Sequence, residues 1–218
     1  AQAFEEEFAR YVRVRYAVGV SSGSTAVMLA LMALGIKPGD EVISVPNVDI
    51  SASAPLAHAG ARVVWVDIDP HTYNLDPAQL EAKITSKTRA IVAVHMYGNP
   101  AEMDSILSIA DRHGIPVVED ASLAHGATYR GRKVGGIGRI ACFSFCPGKI
   151  LGAFGQAGIV VTDDASLAER VRILCNYGFE PSSIEAVVRG QVGARFQYLM
   201  EGYNAVMDEI QAAVLRVK

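Results

Sequence analysis

Apolar runs of strand length alternate with helical patterns along most of this chain, and that alternation limits its fold more than any other feature. Val42-Ile43-Ser44-Val45, residues 62–66, residues 90–94 and residues 117–119 read as buried strands. Helical patterns occupy 26–34, 51–59, 77–83 and 102–113. His113-Gly114 followed by Pro116 is a helix stop and then a strand start. Residues 139–145 and 158–162 look like two more strands, and 165–175 like another helix. Such strand–helix alternation predicts an α/β fold with a mostly parallel central sheet flanked by helices. The chain has 218 residues, 50% of them hydrophobic, enough for one domain with a sizeable core. Residues 180–197 are polar and irregular, and a loop near the active site is expected there.

In open α/β sheets, ligands bind beyond the carboxyl ends of the strands, so side chains at those ends carry the chemistry. Three segments stand out. Phe143-Ser144-Phe145-Cys146-Pro147-Gly148-Lys149 is an apolar strand that breaks into a Pro-Gly turn and presents a lysine. An amine beside apolar walls resists protonation and can form a Schiff base, although most such lysines are simply solvated. Asp120 ends Val117-Val118-Glu119-Asp120. Its carboxylate can hold a proton on a ligand's ring nitrogen, or merely cap the next turn. Ser21-Ser22-Gly23-Ser24-Thr25 precedes the helix at 26–34. Free N–H groups and hydroxyls at a helix start bind anions, and one ordinary N-cap would use only one hydroxyl. A phosphate anchor, a ring-nitrogen carboxylate and an amine for an aldehyde are the three requirements of pyridoxal 5′-phosphate.

With those motifs in hand, the chain resembles the DegT/DnrJ/StrS sugar aminotransferases, within the fold type I pyridoxal-phosphate enzymes. The resemblance also runs through Pro38-Gly39-Asp40-Glu41-Val42-Ile43, Val94-His95-Met96-Tyr97-Gly98, Ala124-His125-Gly126, Gly202-Tyr203-Asn204 and Gln211-Ala212-Ala213. It implies that Lys149 forms the Schiff base and shuttles the proton, and that Asp120 pairs with the pyridinium. It implies that Gly23, Ser24, Thr25 and Ser144 hold the phosphate, and that Asn204 reaches the phosphate of a neighbouring subunit in a homodimer with shared sites. Ile50 would pack on the ring face and Leu123 would sit by its phenolic oxygen. The implied reaction moves an amino group from glutamate or glutamine to a nucleotide-linked keto-sugar or a keto-cyclitol. Dehydration or decarboxylation on the same scaffold, and a non-catalytic cofactor-binding sensor, are the alternatives. Relatives that act as sugar dehydratases carry histidine in place of the lysine, and Lys149 argues against that branch.

The chain departs from the family pattern at four places. Leu123 stands where Gln or His is usual and cannot donate a hydrogen bond. Ile50, in Pro46-Asn47-Val48-Asp49-Ile50, replaces an aromatic residue. Tyr177 stands in Asn176-Tyr177-Gly178 where histidine is usual, and Val206 where a basic residue is usual. These changes bear on the substrate rather than on the cofactor.

Composition narrows the remaining possibilities. A net charge of −3 with no basic run gives no footing for nucleic acid, and no apolar run spans a membrane. Cys142, Cys146 and Cys175 read as free thiols in a reducing, cytoplasmic setting, without histidine partners for a metal. Gly136-Ile137-Gly138-Arg139-Ile140-Ala141 fits the dinucleotide pattern G-x-G-x-x-A. It follows polar residues and precedes a strand, so it reads as a turn. His58, His71 and His113 suit structural positions, whereas His95 and His125 are candidates to line the site. The chain opens within a helical pattern at Glu5-Glu6-Glu7-Phe8 and closes within another at 208–218. Together with the resemblance, this implies a large cofactor-binding domain over 1–218 and a further small C-terminal domain.

Overall fold

The structure, a computed structural model, describes residues 1–218. In chain order the elements are α1 (Gln2–Val12), β1 (Tyr16–Val20), α2 (Gly23–Ala33), β2 (Glu41–Ser44), α3 (Ile50–His58) and β3 (Arg62–Trp65). There follow α4 (Pro77–Leu80), β4 (Thr88–Val94), α5 (Met103–Arg112), β5 (Val117–Asp120) and a small hairpin of β6 (Thr128–Tyr129) and β7 (Arg132–Lys133). The chain closes with β8 (Ile140–Ser144), β9 (Gly158–Thr162), α6 (Ala165–Cys175), α7 (Pro181–Val188) and α8 (Glu209–Val217).

Seven strands form one sheet in the order β1-β9-β8-β5-β4-β2-β3. β3, β2, β4, β5 and β8 pair in parallel, and β9 runs against both its neighbours. This is the mostly parallel, helix-flanked sheet expected from the strand–helix alternation. The central strands β4, β5 and β8 are buried on both faces because helices cover both faces, and their residues are mostly apolar, with Glu119 and Asp120 of β5 the buried charged exceptions. β3 corrects the expectation of a buried strand. It is the sheet's edge, with Arg62 and Trp65 exposed.

Helix α2 carries apolar residues nearly all round and is buried, packed on β8 and β9 and between α3 and α6. Behind β8, α1 contributes an aromatic clamp. Phe8 meets Phe143 and Phe145 edge-on at 5.0 and 5.2 Å. Residues 180–197 also differ from expectation. Glu180 caps α7 by accepting from Ser183 N, and Pro181 supplies its first turn, so half of the expected loop is helix. None of these residues lines the cavity described below. The G-x-G-x-x-A segment is the expected turn. The buried carboxylate of Glu119 accepts from the N–H groups of Gly135, Ile137 and Gly138 and fixes it.

Candidate active site

The carboxyl ends of β2, β4, β5 and β8 open onto one cavity of about 740 Å³, with the start of α2 forming a further wall. Lys149, Asp120, Ser144, Gly23, Ser24 and Leu123 all line it, as expected.

The start of α2 is built to receive an anion. Ser22 caps the helix, accepting from Thr25 N at 3.1 Å. The N–H groups of Gly23 and Ser24 make no hydrogen bond within the chain and are two free donors at the positive end of a helix of 11 residues. Glycine is needed at 23 for proximity. A Cβ there would lie 2.4 Å from Ser144 Cβ and 2.8 Å from its Oγ. Gly158 allows the matching approach from the other side, where a Cβ would lie 2.3 Å from Ser22 O. The two glycines let α2 start directly against the end of β8, bringing the Ser144 hydroxyl beside the free N–H groups.

The hydroxyls divide their work differently from expectation. Ser24 Oγ donates to Ser51 O at 2.7 Å and ties α2 to α3. Thr25 Oγ1 pairs with Ser22 Oγ at 2.8 Å and does not line the cavity. The donors left free at this end of the cavity are therefore the two backbone N–H groups, with the Ser144 hydroxyl beside them.

Asp120 is buried at the end of β5. Its Oδ1 accepts from Ser122 N at 3.0 Å, and its other oxygen makes no hydrogen bond within the chain. The neighbouring Glu119 faces the opposite side of the sheet. Besides the three loop N–H groups it meets His95 Nε2 at 3.0 Å, while His95 Nδ1 accepts from Ala101 N. The expectation that His95 lines the site is thus corrected: both its nitrogens are consumed in the core. His125 does not line the cavity either. It packs against the Phe143 and Phe145 rings on the side facing α1, with neither ring nitrogen hydrogen-bonded, and burial pushes its pKa down to about 4, with the charge of Lys149 adding to the effect.

Lys149 is held by the turn that follows β8. Its N–H donates to Cys146 O at 2.8 Å, and Ala153 N returns to Phe145 O. Gly152 lets the loop fold back, since a Cβ there would lie 2.6 Å from Pro147 O. Gln211 Oε1 on α8 accepts from Phe154 N and Gly155 N and fixes the far side of the loop.

One expected residue is elsewhere. Ile50, the first residue of α3, is 73% exposed and outside the cavity wall, where the preceding Asp49, the helix cap, stands instead. Asn204, expected to serve a neighbouring subunit, is exposed, bridges to Asn176 and is not in this cavity's wall. Conversely, the cavity wall includes Asn47, Asp49, Tyr97, Cys146 and Gln156, which sequence reasoning had not placed there. Asn47 Nδ2 donates to Tyr73 O, and the Tyr73 ring meets Tyr97 edge-on at 6.1 Å, so the three form one rim. The position of Tyr97 immediately beyond β4 was the available signal.

The donor set fits pyridoxal phosphate. Free N–H groups and a hydroxyl would suit its phosphate, a buried carboxylate with a free oxygen its ring nitrogen, and a half-buried lysine its aldehyde.

The chain is similar to several known proteins. A transaminase of Streptomyces venezuelae, dTDP-3-amino-3,4,6-trideoxy-alpha-D-glucose transaminase, is 46% identical over 217 residues, covering 100% of this chain and 54% of that protein. The crystal structure of S. venezuelae DesV in complex with a ketimine intermediate superposes with a TM-score of 0.89 at 46% identity, over 99% of this chain and 55% of that one. NtdA of Bacillus subtilis, solved with bound cofactor PMP, gives 0.88 at 34% identity, over 98% and 46%. These neighbours share the fold type I architecture. The chain spans about half the length of the curated relatives it matches. The DegT/DnrJ/EryC1/StrS aminotransferase family matches residues 1–218, and the chain belongs to that family.

Proposed function

We propose that this chain is the cofactor-binding part of a pyridoxal-phosphate-dependent aminotransferase. It moves an amino group from glutamate or glutamine to a nucleotide-linked keto-sugar or a keto-cyclitol. The observation that carries the reading is the convergence of Lys149, Asp120 and the α2 anion cradle on one cavity. When bound, the cofactor supplies an electrophilic aldehyde and a protonated ring that accepts the electron pair released at the donor's α-carbon. The free oxygen of Asp120 holds the proton on the ring nitrogen. A charge-assisted hydrogen bond of that kind contributes about 1.5–3 kcal/mol. Lys149 Nζ would hold the aldehyde, and as a free amine it would take the proton from the donor's α-carbon. The N–H groups of Gly23 and Ser24, with the Ser144 hydroxyl, fix the phosphate. Leu123 supplies an apolar wall.

The rest of the site comes from outside this chain: the remainder of a longer protein, and a second copy in a homodimer. Asn204, exposed and outside the wall of its own cavity, suits contact with the phosphate held in another copy. The buried thiols of Cys142 and Cys175, whose pKa values burial raises, suit a reducing cytoplasm. No helix is long and apolar enough to cross a membrane.

The test is an absorption spectrum of the full-length protein with pyridoxal phosphate, before and after adding glutamate or glutamine. Loss of the visible band of cofactor held on Lys149, with gain of the pyridoxamine band, is the expected result. Lys149→Ala should lose that visible band and all turnover while remaining folded. Turnover near the unsubstituted level in Lys149→Ala would refute the assignment.

A further inference from the structure

Two helices begin at the cavity, and their caps carry different charge. α2 is capped by the neutral Ser22 and leaves free N–H donors. α3 is capped by Asp49, whose Oδ1 accepts from Ser51 N at 2.8 Å. Ser24 Oγ bonded to Ser51 O locks the two helix starts side by side. Asp49 is exposed and lines the cavity with Asn47. The Ser51 hydroxyl and N–H hold its carboxyl below the usual carboxylate range, so it is ionised at neutral pH.

The charges facing the cavity from this chain are few. Asp120 is matched by the proton it holds on the ring nitrogen, and Lys149 is the only basic side chain in the wall. No arginine and no histidine lines it. The carboxylate of Asp49, close enough to Lys149 for that charge to help lower its pKa, is the remaining charge that this chain presents to the cavity. We infer that Asp49 selects the amino donor, favouring glutamine over glutamate. The inference rests on the aminotransferase reading above. Both donors carry the same α-carboxylate and α-amine, so whatever meets those groups cancels in the comparison. They differ only at the far end. A second carboxylate is repelled by Asp49, whereas a carboxamide carries no charge and can donate an N–H to it.

The experiment is a pair of half-reactions in the full-length holoenzyme, followed by loss of the visible cofactor band, with glutamine and with glutamate. The ratio of kcat/KM for the two donors is compared with that of Asp49→Asn and Asp49→Ser. Asparagine and serine both cap helices, so α3 is retained. Unit charges acting across a partly water-filled cavity change binding by about three- to six-fold, and that is the expected fall in the glutamine preference. The change should lie in KM for glutamate, with kcat little altered, and should shrink as salt is raised. A binding readout without turnover is calorimetric titration of the full-length protein with glutarate and with its monoamide. Both substitutions should tighten glutarate by the same factor and leave the monoamide unimproved. Unaltered donor ratios and unaltered glutarate affinity in both variants would overturn the role of Asp49 while leaving the aminotransferase reading intact. Failure of the unsubstituted protein to form the visible band at all would remove that reading, and this inference with it.

Discussion

Gly23→Ala probes the cofactor cradle through a single methyl group. The added Cβ would lie 2.4 Å from Ser144 Cβ, 2.8 Å from Ser144 Oγ and 3.0 Å from Ser144 Cα. Rotating the serine side chain relieves only the second of these contacts, since Cβ and Cα belong to the strand. The start of α2 must therefore move away from the end of β8 by about 1 Å to restore ordinary carbon–carbon contact. That movement separates the free N–H groups of Gly23 and Ser24 from the Ser144 hydroxyl. Overpacking of this kind costs about 1–3 kcal/mol. Read as cofactor affinity, a weakening of about ten- to a hundred-fold in the Kd for pyridoxal phosphate is expected. Ser144→Gly removes the clashing Cβ and one phosphate donor, and alone should also weaken binding. In the double variant the main clash is gone, so the two effects should fall short of additivity by about 1 kcal/mol. The assay is an equilibrium titration of the full-length protein with pyridoxal phosphate for all four members of the cycle. Strict additivity, or Gly23→Ala binding as tightly as the unsubstituted protein, would refute the claim that glycine is there for close approach.

Two further predictions concern stability. Glu119→Gln replaces one acceptor oxygen by a donor that faces N–H groups, so unfolding by urea should show a loss of about 2–4 kcal/mol. Burial pushes the Glu119 carboxyl up, but the bond and charge of His95 and the N–H groups of Gly135 and Gly138 outweigh it, and the net shift is below the ordinary 4.5. Its contribution is therefore present above that ordinary value and lost as pH falls through the lower folded one, and Glu119→Gln should remove that part of the acid sensitivity. For His125 the folded pKa lies at about 4, against 6.5 for the ordinary imidazole. The stability contributed by the neutral ring is present above 6.5 and is lost as pH falls toward 4. His125→Phe should thus reduce the drop in stability between about pH 7 and pH 5 by about 2 kcal/mol. An unchanged pH slope in urea melts would refute the buried, neutral assignment.

Much of the sheet was legible because parallel strands covered on both faces leave long apolar runs such as Ala90-Ile91-Val92-Ala93-Val94. The parts that escaped notice follow other physics. β6 and β7 are a charged surface hairpin closed by Arg130-Gly131, both at positive φ, with no apolar alternation to betray it. β1, which follows α1, lies at the sheet edge against the antiparallel β9, and its five residues, with small Ala17 and Gly19 among them, make no long apolar run. α7 was hidden by a polar composition that its Glu180-Pro181 start overrides. In the site, Lys149, Asp120 and Ser144 were readable because each sits at the end of an apolar run. His95 misled for the same reason: residues at a strand end can turn either toward the cavity or back into the core, and only the Glu119 carboxylate and Ala101 N–H decide which.

Asp49 marks where charge, rather than position, separates two otherwise equivalent helix starts. A helix beginning beside a ligand cavity contributes partial positive charge unless its cap cancels it. At α2 the cap is a hydroxyl, and the start of the helix stays free for an anion. At α3 the cap is a carboxylate, and the same geometry presents negative charge instead. Exchanging Asp49 for asparagine keeps the hydrogen bond and removes the charge. That one substitution therefore separates the structural role of the cap from its effect on whatever the cavity admits.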